Sequence, residues 1–361
     1  MVFSLISLLM FYVHDEGSAK VEDVEKVENV EKVEKVHAEY IFDPCPAMPM
    51  NHASTIAEMP DRDILCAWYA GTEEGARDVK IYASRLDKNT GRWSEPRVIA
   101  DTPDRSEGNP VLFVSEGSGG DDDGDNEEVW LYFVTIHGLG WQMARMKYAV
   151  SQDKGRTFGP PTLFRKNYGW MPRNHILRLK NGTLIMPLYH ESKRYSFFMR
   201  STDKGQTWQD AGSIVSHPGN LQPAIAELDD GTIIALMRTW GRRGKIWQAK
   251  SHDQGITWSE PKELALPNPR SAIDMIRLKN GHLVLAFNNS ETKRTPLTIA
   301  LSENDGETWP YLRDIEVSEG RFSYPSLIQD SDGLIHITYT YKRQTIKHAA
   351  FPENWIREKI Q

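Results

Sequence analysis

Arginines, histidines, a tyrosine and several carboxylates recur at one kind of place in this chain, just before or just after paired apolar runs joined by polar turns. Asn51 and His52 precede the first such pair, and Glu73, Glu74 and Asp78 follow it. Glu107 and Asn109 precede the second, and His137 follows it. The same positions further along hold Arg173, Asn174, His175, His190, Glu191, Gln222, Arg238, Arg270, Asp274, Arg294 and Tyr324. Guanidinium forks grip carboxylates bidentately, while imidazole, phenol and carboxyl groups exchange protons or bond to hydroxyls. Brought to one place, these side chains suit an anionic, hydroxyl-rich ligand.

The elements that must position them are strand pairs. Strand, polar turn, strand is read at 56–69, 111–135, 176–189, 225–237, 276–287 and 327–341. Asn-Gly and Asp-Gly between apolar runs are the strongest short-range hairpin signal. A second series runs out of phase with the hairpins. Ser151-Gln-Asp153-Lys-Gly155-Arg-Thr157-Phe158 is echoed by segments starting at Ser201, Ser251 and Ser302, spaced 50, 50 and 51 residues apart. In each, an Asp or Asn and a Gly suit a tight turn whose side chains bond nearby backbone N–H groups, with an aromatic packed beneath. Ser84, Asp87, Gly91 and Trp93 form a degenerate earlier copy, and the longer gap after it holds the acidic, Gly-rich insertion 117–128.

A period near 50 residues with six hairpins predicts an all-β chain, a six-bladed β-propeller over residues 38–361. The two ends of the propeller, Ala38–Phe42 and Thr345–Phe351, are the candidates for closing the ring in one blade. The turns with Asp and Gly should lie on the face opposite Arg238, Arg294 and Tyr324.

The 361 residues are 39% hydrophobic and include 11 Trp, as aromatic packing between blades requires. A net charge of −7 with pI near 5.9 argues against nucleic-acid binding, which needs clustered cations. Cys45 and Cys66 could form one bridge or remain reduced thiols. Residues 1–37 differ in kind. Val2–Val13 is too short to span a bilayer, so no stable membrane insertion is expected, and Gly17-Ser18-Ala19 offers small residues for a signal peptidase although no Lys or Arg precedes the apolar run. Export and cytoplasmic residence both stay open. The valine at every third position over 21–36 reads as a solvated low-complexity segment. In an exported chain Asn181 and Asn288 would be glycan acceptors. No metal-ligand spacing, phosphate loop or nucleophile elbow appears, so neither metal nor cofactor is expected, and nothing bears on the oligomeric state.

With the repeated turns and the segments Glu227–Arg238, Lys293–Ser302 and Phe322–Leu327, residues 48–355 resemble the sialidase (neuraminidase) superfamily, whose propellers carry the bacterial neuraminidase repeat. The resemblance implies that Arg238 and Arg294 hold a substrate carboxylate, that Tyr324 is a nucleophile and that Asp78 is the acid/base. Two positions depart from that family. His52 stands where it has a first arginine, and Gln222 stands where a Glu activates the Tyr. Gln cannot take a phenolic proton, which makes His52 the substitute base. Arg173, His175, Glu191, Arg270, Asp274, Asn109 and His137 are expected to line the site.

An exo-glycosidase acting on the terminal sugar of an acidic oligosaccharide or glycoconjugate is therefore expected. The departures leave two alternatives: a uronate-directed lyase or rhamnosidase-type enzyme using an active-site His, and a glycan-binding propeller without catalysis.

Overall fold

The computed structural model describes residues 36–115, 127–241 and 244–358. The expectations for the N-terminal segment 1–35 and for nearly all of the acidic insertion fall outside the described residues.

Six antiparallel sheets of four or five strands follow one another along the chain. The innermost strands are Met50–Glu58, Glu107–Ser115, Asn220–Glu227, Asp274–Arg277 and Phe322–Gln329 in blades 1, 2, 4, 5 and 6. Blade 3 has two short inner pieces, Trp170–Pro172 and Leu177–Arg178, either side of Arg173-Asn174-His175. The ring closes in blade 6, where His37–Tyr40 pairs with Thr345–Phe351 as its outermost strand. All six hairpins read from the sequence are present as the first two strands of a blade.

The apolar core is divided into six slabs, one at each interface between neighbouring blades. This division follows from the alternation of side chains across a strand, since each sheet buries both faces against its two neighbours.

The repeated turns connect the third strand of a blade to its fourth, which by antiparallel order is the end opposite the first-strand starts. In blade 3, Ser201 Oγ donates to Asp203 Oδ1 at 2.7 Å, and Asp203 accepts from the Thr207 N–H at 2.9 Å and the Thr207 hydroxyl at 2.5 Å. Three of the four turns also press on the blade before them; a Cβ on Gly306, for example, would stand 2.7 Å from Ile234 of blade 4. Gly is required there both for this approach and for its φ of +76°.

Cys45 and Cys66 are both free thiols, and Cys66 is fully buried. Of the two glycan-acceptor motifs, Asn288 is buried with its amide donating to the Pro296 and Phe322 carbonyls at 3.1 and 2.8 Å. A glycan there is excluded by this packing. Among the described residues no helix is long and apolar enough to cross a membrane, and no group of three or more His, Cys, Asp or Glu could hold a metal ion.

Candidate active site

The innermost strands carry the same irregularity at the same place. Pairing with the second strand slips between His52 and Thr55, Gly108 and Val111, Leu221 and Ala224, and Ser323 and Ser326. Inside each slip one residue has positive φ: Ala53 at 54°, Asn109 at 46°, Gln222 at 56° and Tyr324 at 56°. A bulge re-aims the side chain of its extra residue, here toward the propeller axis. Asn tolerates this backbone, but for a bulky side chain it costs about 1–3 kcal/mol. Tyr324 is therefore held in a strained conformation by its surroundings.

Its clamp is formed by residues expected to line the site. Arg173, 2% exposed, donates to the Ser54 carbonyl at 3.0 Å and to the Pro325 carbonyl at 2.9 Å. Asp274 accepts from the Leu327 N–H at 2.7 Å, and His175 Nε2 meets Ser326 Oγ at 3.1 Å and Asp274 Oδ2 at 3.3 Å. Arg173, His175 and Asp274 thus form an underlayer that fixes the backbone of 324–327.

Above it, Arg238 Nη1 donates to the Tyr324 hydroxyl at 3.2 Å and to Gln222 Oε1 at 3.0 Å. Arg294 lies 5.6 Å from the Tyr324 ring and donates to the Arg270 carbonyl at 3.2 Å. Burial by itself raises the phenol's pKa, but the Arg238 and Arg294 charges outweigh it and hold the group below its ordinary range. Gln222 Nε2 and Asn109 Nδ2 both reach the Tyr189 hydroxyl, at 3.4 and 2.9 Å. Burial drives Tyr189 the opposite way, far above the ordinary phenol value, so it stays neutral.

His52 lies against the Tyr324 ring with centroids 4.2 Å apart, and its Nδ1 is 2.9 Å from Thr340 Oγ1. Its Nε2 is buried and has no hydrogen-bond partner. Burial, reinforced by Arg343, Arg294, Arg173 and Arg321, keeps its pKa well below the usual histidine value, so the ring is neutral at pH 7.

The carboxylates divide differently from the sequence expectation. Asp78 is exposed, and both its oxygens are engaged by Thr72, through the backbone N–H and the hydroxyl, each at 2.9 Å. Glu74, in the same loop, receives the Trp141 indole N–H at 3.2 Å and pairs with Arg343 at 2.6 Å. The Glu74 charge reaches Tyr69, Tyr324 and Glu191. Glu191 itself is raised above the usual carboxyl range by burial, against the pull of Arg238 and Arg194.

Beside Tyr324 a cavity of about 620 Å³ opens over blades 4 to 6, lined by Arg238, Arg270, Lys293, Arg294 and Arg321 with Glu319 as its one carboxylate. Arg270 stacks on Trp240 at 4.0 Å. His137 lies apart, after the second strand of blade 2; burial, with Lys147 and Arg105, lowers its pKa.

Residues 62–337 match the BNR repeat-like domain family. The chain belongs to this family. It is a sialidase-superfamily BNR propeller, and its relatives agree with that placement. It is 31% identical over 166 residues to a sialidase of Micromonospora viridifaciens, a match covering 43% of this chain and 25% of the relative. It is 25% identical over 178 residues to an anhydrosialidase of Macrobdella decora, covering 44% of this chain and 23% of the relative. The match thus spans about a quarter of either relative's length. A Hadza microbial sialidase superposes with a TM-score of 0.73 at 19% identity, covering 88% of this chain and 69% of that one, a likeness of fold.

Within the BNR propeller, sequence reasoning named Glu74 as a position but did not select it, and it missed Arg343 and Arg321 altogether. Arg343 lies in the turn between the second and third strands of blade 6, which opens on the same end as the first-strand starts. The position just after the last strand pair, of the same kind as Glu74 after the first, was the signal that could have found it.

Proposed function

We propose that this BNR propeller is an exo-glycosidase that removes a terminal acidic sugar, with Tyr324 as nucleophile. The observation that carries this is the Arg238–Tyr324 hydrogen bond, made to a phenol whose backbone is strained and whose pKa two arginines lower. In this reaction Arg238 and Arg294 hold the sugar's carboxylate, the Tyr324 phenol releases its proton to water, and the phenolate oxygen attacks the anomeric carbon. The bond to the leaving oxygen breaks, and that oxygen takes a proton from Glu74. Water then displaces the tyrosine oxygen at the same carbon and gives a proton back to Glu74, so configuration is retained. The Trp141 indole N–H and Arg343 hold Glu74 in place for this exchange. A neutral Gln222 suits the scheme because it leaves the charge of Arg238 uncancelled.

A second reading has one observation behind it, the contact between the neutral His52 ring and Tyr324. A neutral imidazole can remove the proton alpha to a uronate carboxylate, whereupon the glycosidic C–O bond at the beta carbon breaks, its oxygen leaves and takes a proton, and a carbon–carbon double bond remains. Purified protein is incubated with sialosides and with uronate polysaccharides while free sialic acid, reducing ends and ultraviolet absorbance are followed. Release of sialic acid that Tyr324→Phe abolishes supports the hydrolase. Ultraviolet-absorbing ends support elimination, and no product from any glycan overturns both.

A further inference from the structure

The cavity beside Tyr324 holds more positive charge than one carboxylate requires. Two arginines, Arg238 and Arg294, already face Tyr324. Lys293 and Arg321 stand further out on the same wall, both exposed, in the connections 289–296 and 317–321 of blades 5 and 6. Neither has a side-chain ion-pair or hydrogen-bond partner among the described residues. Burial of Arg294, aided by the charges of Arg238, Arg321 and Arg343, already works against its protonated form. A wall that sets five cations against the single carboxylate of Glu319 is suited to anions that arrive with the ligand.

The chemistry narrows that ligand. A monoanionic terminal sugar engages the inner pair and leaves Lys293 and Arg321 with Glu319 as the one carboxylate lining their wall. A cavity of about 620 Å³ is within the range that encloses a ligand larger than one small group. We infer that Lys293 and Arg321 bind a second anionic group, carboxylate or sulfate, on the sugar next to the terminal one, so that the preferred substrate is a glycan with two adjacent anionic residues. This rests on the reading that Arg238 and Arg294 hold the terminal carboxylate.

The test compares three oligosaccharides with the same terminal acidic sugar, whose neighbour is neutral, carboxylated or sulfated, in both turnover and equilibrium binding. The wild-type protein should favour at least one dianionic ligand over the monoanionic one by about tenfold or more, and the better of the two identifies the anion. The double variant Lys293→Gln, Arg321→Gln should lose that preference while changing the monoanionic ligand by less than about twofold. Equal affinity for all three ligands overturns the inference, as does a variant that weakens all three equally. Preferential binding without turnover would keep the second-anion site and sink the glycosidase reading. Turnover without preference would do the reverse.

Discussion

Arg238 donates to the Tyr324 hydroxyl at 3.2 Å, and the partner it shares on the other side is the neutral amide of Gln222 at 3.0 Å. A carboxylate at position 222 would cancel much of the guanidinium charge. The amide orients Arg238 and leaves that charge to act on the phenol. In the proposed reaction, a pair of cations rather than a base would activate the phenol.

Removing the cation should reverse the effect on the phenol. A charge-assisted hydrogen bond contributes about 1.5–3 kcal/mol, which corresponds to roughly 1–2 pH units. Arg238→Leu should raise the Tyr324 pKa by that amount. Ultraviolet titration of the variant against Arg238→Leu, Tyr324→Phe isolates this phenol, and an unchanged transition would show that Arg238 does not tune it.

Gln222→Glu should also raise the phenol, because the new carboxylate offsets Arg238. It should weaken binding of an acidic ligand by about tenfold while leaving a neutral analogue nearly unaffected. Isothermal titration with the pair of ligands reads both. Tighter binding of the acidic ligand would mean that Arg238 does not contact it.

Glu74 and Asp78 lie four residues apart but should behave differently. General acid catalysis contributes about 10²–10⁴-fold, mostly where the leaving group is poor. Glu74→Gln should lose activity in that range on a glycan and much less on an aryl glycoside. Asp78→Asn should affect the 72–78 loop and leave kcat within a few fold. Interchanged outcomes would restore Asp78 as the acid.

The repeated turns predict a pH dependence of stability. Hydrogen bonds to the carboxylates of Asp153 and Asp203 hold each pKa at about 2, below the ordinary aspartate value near 3.9. The native state then binds fewer protons than the unfolded one. The stabilisation is complete above about pH 4 and is lost as pH falls through about 2. Asp203→Asn, which copies the Asn304 found in the last turn, should flatten that acid limb in chemical denaturation measured from pH 5 to pH 2.

The blade count, the hairpins and the strand that closes the ring were all legible in the sequence. They depend on local chemistry repeated several times: an Asn-Gly or Asp-Gly turn, and an Asp bonded to a Thr four residues later, behave alike in each blade that carries them. The placement of Arg238, Arg294, Gln222 and Tyr324 at one end of the ring followed from strand order, and it too was legible. Which side chains meet there was not. Asp78 and Glu74 share one loop, and only the packing of Trp141 and Arg343, from the neighbouring blades 2 and 6, decides that Glu74 is engaged by those blades while Asp78 bonds to Thr72. Arg173, His175 and Asp274 look like ligand-binding residues by type, yet they hold the strained backbone of 324–327, because a buried charge must satisfy whatever polar groups surround it. Those surroundings come from blades 53 to 152 residues apart in sequence. The repeat determined the scaffold, and the convergence of six blades on one axis decided the site.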